Sequence, residues 1–457
     1  VFIYPADREI PAIDIYRFIE AFQQGVLPKL KTKMDWYIGN HPILFEETRG
    51  GNRPDNRIVI NLPYSNVDTF NGYFIGKSPQ ISLDKDIQNK ALQDWNNTNS
   101  FQDRLAEISK QVDIYGRAFA FIYQNENSET RMTYADPESA FIIYDDTVEQ
   151  NPMAFIRFAY DEDSKLHGTC YTANHIYDFG ESAKPVAGSD HPNVYGVVPA
   201  VEFIANDERQ GLNDQIFGIA DAVDHAVSQK ANNVEYFDNA YLKILGVQLP
   251  EDENGDPTLN LDGNQVIYAA SANAKDADIS FIEKPDSDQM QENHINRLID
   301  QNYNVTGVVN FNDQRITGNI SGKALERLLQ RMSNRAAFKR TKFAEALREL
   351  FRIVFSAKNI KGIEADAWHD LKFKFFENLP ADYSDEATTL KTLEGVVSKE
   401  TQFSTATFID DPKKEIKRMQ DEQAEGIKNA VAASDTQTDQ DKAQDDQEDQ
   451  TKDKAKE

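Results

Sequence analysis

The sequence predicts an α+β chain organised around one long helix, and three observations predict it. Short apolar runs between residues 118 and 178 are separated by turn clusters. Two helical stripes flank a polar segment rich in Pro and Gly. A third stripe runs unbroken from Ser321 to Lys358, well past the ~10–14 residues of an ordinary helix.

The elements follow in order. Ile15, Phe18, Ile19, Phe22 and Val26 make Ile13–Tyr37 helical, with Pro28 kinking it or starting a second helix. Ile58–Pro63 reads as a short buried strand ending at a turn, and Val67–Tyr73 leads into a break at Gly76-Lys77-Ser78-Pro79. Residues 88–115 read as one helix through Leu92, Trp95, Phe101, Leu105, Ile108 and Val112, stopped by Gly116. Ala118–Tyr123, Ala140–Tyr144, Phe155–Tyr160 and Thr169–Asp178 are β-like, with turn clusters at Gln124–Thr130, Asp145–Pro152 and Asp161–Gly168. Residues 1–205 are therefore expected to form an α+β domain.

From Asn206 the pattern changes. Apolar residues from Ile216 through Val223, Val234 and Tyr241 to Ile244 recur at three- and four-residue steps, predicting a helix of roughly 30 residues stopped by Gly246. Residues 247–287 are polar and irregular, with β-like patches at Gln265–Tyr268 and Ile279–Ile282, and a second helix lies within 288–306. Residues 307–320 carry glycines and asparagines and read as a loop. The long helix follows, on Leu325, Leu328, Leu329, Met332, Ala336, Phe343, Leu347, Leu350, Phe351 and Val354, with Ser321 or Asn319 as candidate N-cap. Leu371–Phe376 alternates with period two and reads as a strand returning to a sheet, closing a 321–383 segment. Residues 384–429 read as short helices. Residues 430–457 lack aromatics and almost all large aliphatics, and are expected to be a disordered acidic tail.

Composition narrows the function. At 457 residues, 40% of them hydrophobic, the chain suffices for two or three cores at roughly 150 residues each. No apolar stretch is long enough for a membrane span, and Val1-Phe2-Ile3-Tyr4 lacks the marks of a secretory signal. A single cysteine, Cys170, excludes an internal disulfide framework and a cysteine-clustered zinc site, and fits a reducing compartment. The net charge is −27, from 49 Lys+Arg against 76 Asp+Glu. Such a chain repels nucleic acid at long range. Its acidity reads either as a solubility surface or as a surface that passes DNA without holding it.

Catalytic patterns are weak. No HExxH, phosphate loop or nucleophile elbow is present, and Cys170 has no motif around it. Asp145-Asp146, and Asp221 and Asp224 beside His225, are candidate metal carboxylates, each with a plainer reading as a turn or a solvated helix face. The clearest electrostatic anomaly is the long helix. Lys323, Arg327, Arg331, Arg335, Lys339, Arg340, Lys342, Arg348, Arg352 and Lys358 oppose only Glu326, Glu345 and Glu349, a net +7 within an acidic chain. Arg327, Arg331, Arg335 and Lys339 are four apart and form one ridge. It either follows phosphates or, as favoured here, pairs with acidic surfaces of the same or a neighbouring subunit.

Several pieces in order resemble the portal proteins of tailed phages infecting Gram-positive bacteria. They are Trp36–Leu44, Asn61-x-Pro63 with Val67-Asp68, Gly76-Lys77-x-Pro79, Gly116–Phe119, Pro137 through Tyr144-Asp145-Asp146, Asp221…Asp224…Ser228 ending near Ala240-Tyr241-Leu242, Ser321-Gly322-x-Ala324-Leu325, Asn378-Leu379-Pro380, and Asp411-Pro412 with Glu415. The resemblance covers roughly Tyr37 to Glu422 and implies an elongated portal fold. In it 1–205 is an α+β wing, 206–246 and 288–306 are two stem helices, 247–287 is a β-rich clip at their tip, 307–320 is a tunnel loop, 321–383 holds the long wing helix and return strand, and 384–429 is a helical crown. The resemblance further implies a non-catalytic subunit without cofactors, assembled in the host cytoplasm into a ring of about twelve copies. That ring would sit at one capsid vertex of the virion and pass double-stranded DNA without sequence specificity during packaging and ejection. Its partners would be the terminase large subunit, the major capsid and scaffolding proteins, and a head-completion or adaptor protein. Asn310, Asn312, Asp313, Gln314, Arg315, Thr317 and Asn319 would face the DNA, with Arg315 the foremost contact. Arg327, Arg331, Arg335 and Lys339 would face the neighbouring subunit. A metal-dependent nucleic-acid-processing enzyme using the paired aspartates, or another phage head scaffold or adaptor protein, are the alternatives.

Overall fold

A computed structural model describes residues 1–48, 54–238, 242–245, 266–269, 278–281, 288–311, 322–357, 360–378, 383–406, 408–409 and 411–427. Two compact units result, Val1–Asn378 and Leu379–Glu457.

The first unit opens with β1 (Phe2–Tyr4), α1 (Ala12–Gly25) and α2 (Leu27–Ile38). Pro28 sits in the first turn of α2, where its missing N–H costs no intrahelical bond, so it begins a second helix rather than kinking one. The expected strand at Ile58–Pro63 does not form. Residues 54–61 join no sheet, and α3 (Leu62–Ile75) starts immediately after, capped by Asn61 Oδ1 accepting the Tyr64 N–H at 2.9 Å. The expected single helix over 88–115 is two, α4 (Asp86–Thr98) and α5 (Phe101–Tyr115). Asn99 makes the break. It is buried, its Nδ2 donates to the Trp95 carbonyl and its Oδ1 accepts the Met132 N–H, while Ser100 turns left-handed at φ 48°.

Strands β3 (Arg117–Gln124), β4 (Thr130–Ala135), β5 (Ala140–Asp145), β6 (Pro152–Tyr160), β7 (Leu166–Thr172), β8 (His175–Phe179), β9 (His191–Pro192) and β10 (Ala200–Ile204) make two sheets. One is ordered β1-β5-β6-β7-β8-β9, with β1 parallel to β5 and the remaining pairs antiparallel. The other is β10-β3-β4, antiparallel throughout. Phe119, Phe121, Ile142, Phe155 and Val198 form a core shared by the two sheets. Strands β1, β4 and β10 carry little apolar alternation of their own and are strands because a partner edge pairs them. The short β2 (Gln80–Ser82) pairs antiparallel with a returning strand, β14 (Lys372–Lys374).

Helix α6 (Phe217–Asp238) is shorter than expected. Leu242–Leu245, the last part of the predicted stripe, is strand β11, parallel to β12 (Val266–Ala269) and antiparallel to β13 (Asp278–Phe281). Apolar residues at 242, 244 and 245 suit either period, and pairing on both edges decides for the strand. Most of 247–287 lies outside the described residues. Helix α7 (Asp288–Thr306) runs antiparallel to α6. Lys230 of α6 bonds Asp288 and Glu292 at the start of α7, and Asn66 joins Asn213, before α6, to Asn302 near the end of α7.

Helix α8 (Gly322–Ser356) is the long one. Leu329, Met332, Ala336, Phe343, Leu347, Leu350, Phe351 and Val354 are buried along it, while Leu328 is exposed. Phe343 meets Phe203 of β10 edge-on at 5.2 Å, and Phe351 packs on Trp95 and Phe101. The candidate caps Ser321 and Asn319 lie outside the described residues. The second unit contains α9 (Tyr383–Leu393), α10 (Lys399–Phe403) and a helix α11 over 412–427. Ser398 caps α10, and Gln402 Nε2 donates to the Leu390 carbonyl at 2.7 Å to join α9 and α10. The expected tail, 430–457, lies outside the described residues. Among the described residues no helix is long and apolar enough to cross a membrane.

Candidate functional site

The expected DNA-facing loop begins where α7 ends. Gly307 adopts φ +71° and its N–H bonds the Tyr303 carbonyl at 3.0 Å, a left-handed helix terminus. Val308 is buried, Asn310 half-buried and Phe311 exposed. Asn312, Asp313, Gln314, Arg315, Thr317 and Asn319 lie outside the described residues.

The basic ridge of α8 divides. Arg327 and Arg331 are exposed, Arg335 is half-buried, and Lys339 is 1% exposed. Lys339 Nζ lies 2.7 Å from Asp113 Oδ2 and 2.8 Å from Ser109 Oγ, with the Phe74 ring centroid 4.6 Å away. A side chain enclosed by its own chain cannot face a neighbouring subunit, so the expectation for Lys339 is corrected: it belongs to the core. Arg335 Nη1 donates to the Thr306 carbonyl at 2.9 Å and its guanidinium lies over Phe70. Arg331 Nη2 donates to the Asn304 carbonyl at 2.8 Å.

The candidate metal carboxylates have other work. Asp145 Oδ1 accepts from the Thr147 N–H and hydroxyl and from the Asn151 N–H, tying the turn before β6. These donors, the Thr147 hydroxyl first, hold its carboxyl below the usual aspartate range. Asp146 Oδ1 accepts the Ala6 N–H. Because the folded-state value is depressed, the contribution of Asp145 is present above the unfolded value and lost as pH falls through the folded one. Asp145→Ala is accordingly expected to melt several degrees below wild type at neutral pH. That gap should close below about pH 4, and melting curves across pH check it. An unchanged gap in acid would show that the carboxylate charge is irrelevant to the turn.

Asp224 is fully buried. Its Oδ2 meets His41 Nδ1 at 2.5 Å, while His41 Nε2 donates to the Trp36 carbonyl. Its Oδ1 accepts the Ile60 N–H at 2.7 Å. Ser228 Oγ and Asn232 Oδ1 then accept the N–H groups of Ile58 and Asn56. Four helical residues rise about 6 Å and two extended residues about 6.6 Å, so one polar row on α6 takes up every second N–H of an extended segment. This clasp is what replaces the expected strand. A clue stood in the sequence, since Asp224, Ser228 and Asn232 are spaced by four and so form one polar row on the helix. His225, half-buried, lies 3.3 Å from Glu46 and 3.8 Å from Asp221. Among the described residues no group of three or more His, Cys, Asp or Glu is arranged to hold a metal.

A cleft of about 1190 Å³ lies against α8, lined by Tyr144, Glu202, Arg209, Lys342, Glu349 and Phe373 among others. No His, Ser or Cys lines it. Of its five cations four are ion-paired, Lys342 with Asp207 at 2.7 Å, Arg209 with Glu202 at 2.8 Å, Arg340 with Glu377 and Arg352 with Glu349, and Arg348 lies over the Phe373 ring. Cys170 is buried, which pushes its thiol up to about 11, so it carries no thiolate near neutral pH.

Comparison with known proteins decides the class. A family model described as "Phage portal protein, SPP1 Gp6-like" matches residues 17–429. The chain belongs to this phage portal protein family. No curated protein sequence matches it. As a portal protein it is a structural component of the phage capsid vertex with a part in DNA packaging. The family is structural rather than enzymatic, and portal subunits act as an oligomeric ring.

Proposed function

We propose that this portal subunit closes into a ring of about twelve copies. The ring forms the channel through which double-stranded DNA is packaged and ejected, and a platform for the terminase large subunit, the major capsid and scaffolding proteins, and a head-completion or adaptor protein. Assembly takes place in the host cytoplasm. The observation that carries this reading is the family match across 17–429, which takes in α6, the sheet of β11–β13, α7 and α8.

Two features support it. The one cation of helix α6, Lys230, is already paired with Asp288 and Glu292, while Asp221 and Glu235 stay at least partly exposed, as suits a wall that repels phosphate and lets a duplex slide. The antiparallel α6 and α7, with the small sheet between them in sequence, match the order of stem, clip and stem. In this reading Asn310, Asn312, Asp313, Gln314, Arg315, Thr317 and Asn319 face the DNA. Arg327, exposed on α8, meets an acidic patch of the neighbouring copy.

The test is the mass of the purified chain by native mass spectrometry, with particle images. A ring of 51.9-kDa subunits near the expected stoichiometry weighs about 600 kDa. A monomer, or a small metal-dependent species that cleaves nucleic acid, would sink the proposal.

A further inference from the structure

We infer that Arg331 and Arg335 are positioning residues: they cap α7 from the side and fix the point where the proposed DNA-facing loop leaves it. The inference rests on the reading of that loop given above, and adds the residues that set its root.

A helix ends with carbonyls that no residue of its own can bond. At the end of α7 three of the last four, those of Tyr303, Asn304 and Thr306, have a named donor, and a side chain also reaches the carbonyl before them. The Asn302 carbonyl takes the Thr306 hydroxyl at 2.9 Å, and the Tyr303 carbonyl takes the Gly307 N–H. The Asn304 carbonyl takes Arg331 Nη2 at 2.8 Å, with Nη1 of the same guanidinium 3.4 Å from Asn304 Oδ1. The Thr306 carbonyl takes Arg335 Nη1 at 2.9 Å. The last two donors come from α8, on the far side of the loop in sequence. Their four-residue spacing puts both guanidinium groups on one face of α8. A cation at a helix C-terminus also meets the negative end of the macrodipole.

The clamp has a fixed base. One turn further along α8, Lys339 is bonded to Asp113 and Ser109 of α5, which holds α8 in register against the core. On its other side α7 is held by Asn302, fully buried and exchanging amide bonds with Asn66 of α3 at 2.9 and 3.1 Å. The segment's root at Gly307 therefore leaves from a braced point. Arg331 is exposed, so its bonds contribute little to global stability. Their effect is local, on the direction in which the chain departs at Gly307.

The experiment uses full-length rings carrying R331A, R335A, or both. Ring mass, amide exchange across residues 303–308, and DNA packaged per particle are measured, with each variant replacing the wild-type subunit during phage assembly. The double variant is expected to keep the ring mass, to exchange about tenfold faster at 304–308, and to package about tenfold less DNA. R331K, which retains the charge but loses the two-donor fork, is expected to fall between. Unchanged exchange overturns the clamp. Faster exchange with normal packaging overturns its role in positioning. Loss of the ring returns both arginines to a subunit interface and also overturns the inference. A wild-type chain that forms no ring overturns the portal-ring reading itself, whatever the variants do.

Discussion

Lys339→Ala is expected to destabilise the first unit by about 3–5 kcal/mol, the range for breaking a buried ion pair by removing one partner. The side chains of Lys339 and Asp113 are 1% and 3% exposed and meet at 2.7 Å, with Ser109 completing the ammonium's bonds. Burial pushes the lysine down and the aspartic acid up, and their attraction offsets this only in part. The pair is therefore no net source of stability while intact, yet either charge alone is costly. Two corollaries follow. The double variant K339M/D113L, which removes both charges, should be far closer to wild type than K339A. In K339A the stranded Asp113 carboxyl rises further. A raised folded-state value favours folding as pH falls, so the deficit of K339A should shrink towards about pH 4. Urea denaturation at pH 7 and pH 4.5 reads both. A loss below about 1 kcal/mol for K339A would refute the burial argument.

Gly116→Ala is expected to cost about 3 kcal/mol, for two separate reasons. Gly116 ends α5 at φ +86°, where a side chain is strained. An added Cβ would also stand 1.9 Å from the Arg209 carbonyl oxygen and 2.5 Å from its carbon. That contact is backbone and cannot yield cheaply. The segment it would displace is locked. The Leu212 N–H bonds the Asp113 carbonyl at 2.7 Å, and Arg209 makes two hydrogen bonds to Glu202 at 2.9 and 2.8 Å. Burial alone would raise the Glu202 carboxyl, but the Arg209 hydrogen bonds and the Arg117 charge hold it below its ordinary range. Gly188→Ala supplies the control, since Gly188 shares the left-handed backbone (φ +82°) with nothing within 4 Å of an added Cβ. Thermal melting should place G116A well below G188A. Equal melting would mean that the close approach to Arg209 is unimportant.

The legible parts of this fold are those whose period is set by one strong interface. Helix α8 buries one stripe from Leu329 to Val354 against elements that include β10 and α5, so its apolar residues repeat at helical spacing. Strands β3 and β5 are buried on both faces or nearly so, as is β6 over Ala154–Ile156, and their apolar runs are visible for the same reason. Ile58–Ile60 carried a strand-like run, but the donors along its backbone went to Asp224, Ser228 and Asn232, over 160 residues away in sequence. Leu242–Leu245 continued a helical stripe and was taken into a sheet by two edges far along the chain. Asn99 looked like any polar residue inside a helix until its amide found Trp95 and Met132.

By itself the sequence determined the α+β class, the long basic helix and its four-residue ridge of cations, and the portal family through an ordered set of short motifs. These follow from periodicity, composition and residue order, which are properties of the chain alone. Only the tertiary structure decided where the charges of that ridge go. Four cations on one helix face look equivalent, because spacing fixes their direction and nothing about what they meet. Arg327 stays exposed, Arg331 and Arg335 reach the end of α7, and Lys339 is buried against Asp113. Those fates depend on which distant carbonyl or carboxylate the fold brings within about 3 Å, and hydrogen bonding and desolvation at that range separate one lysine from its neighbours.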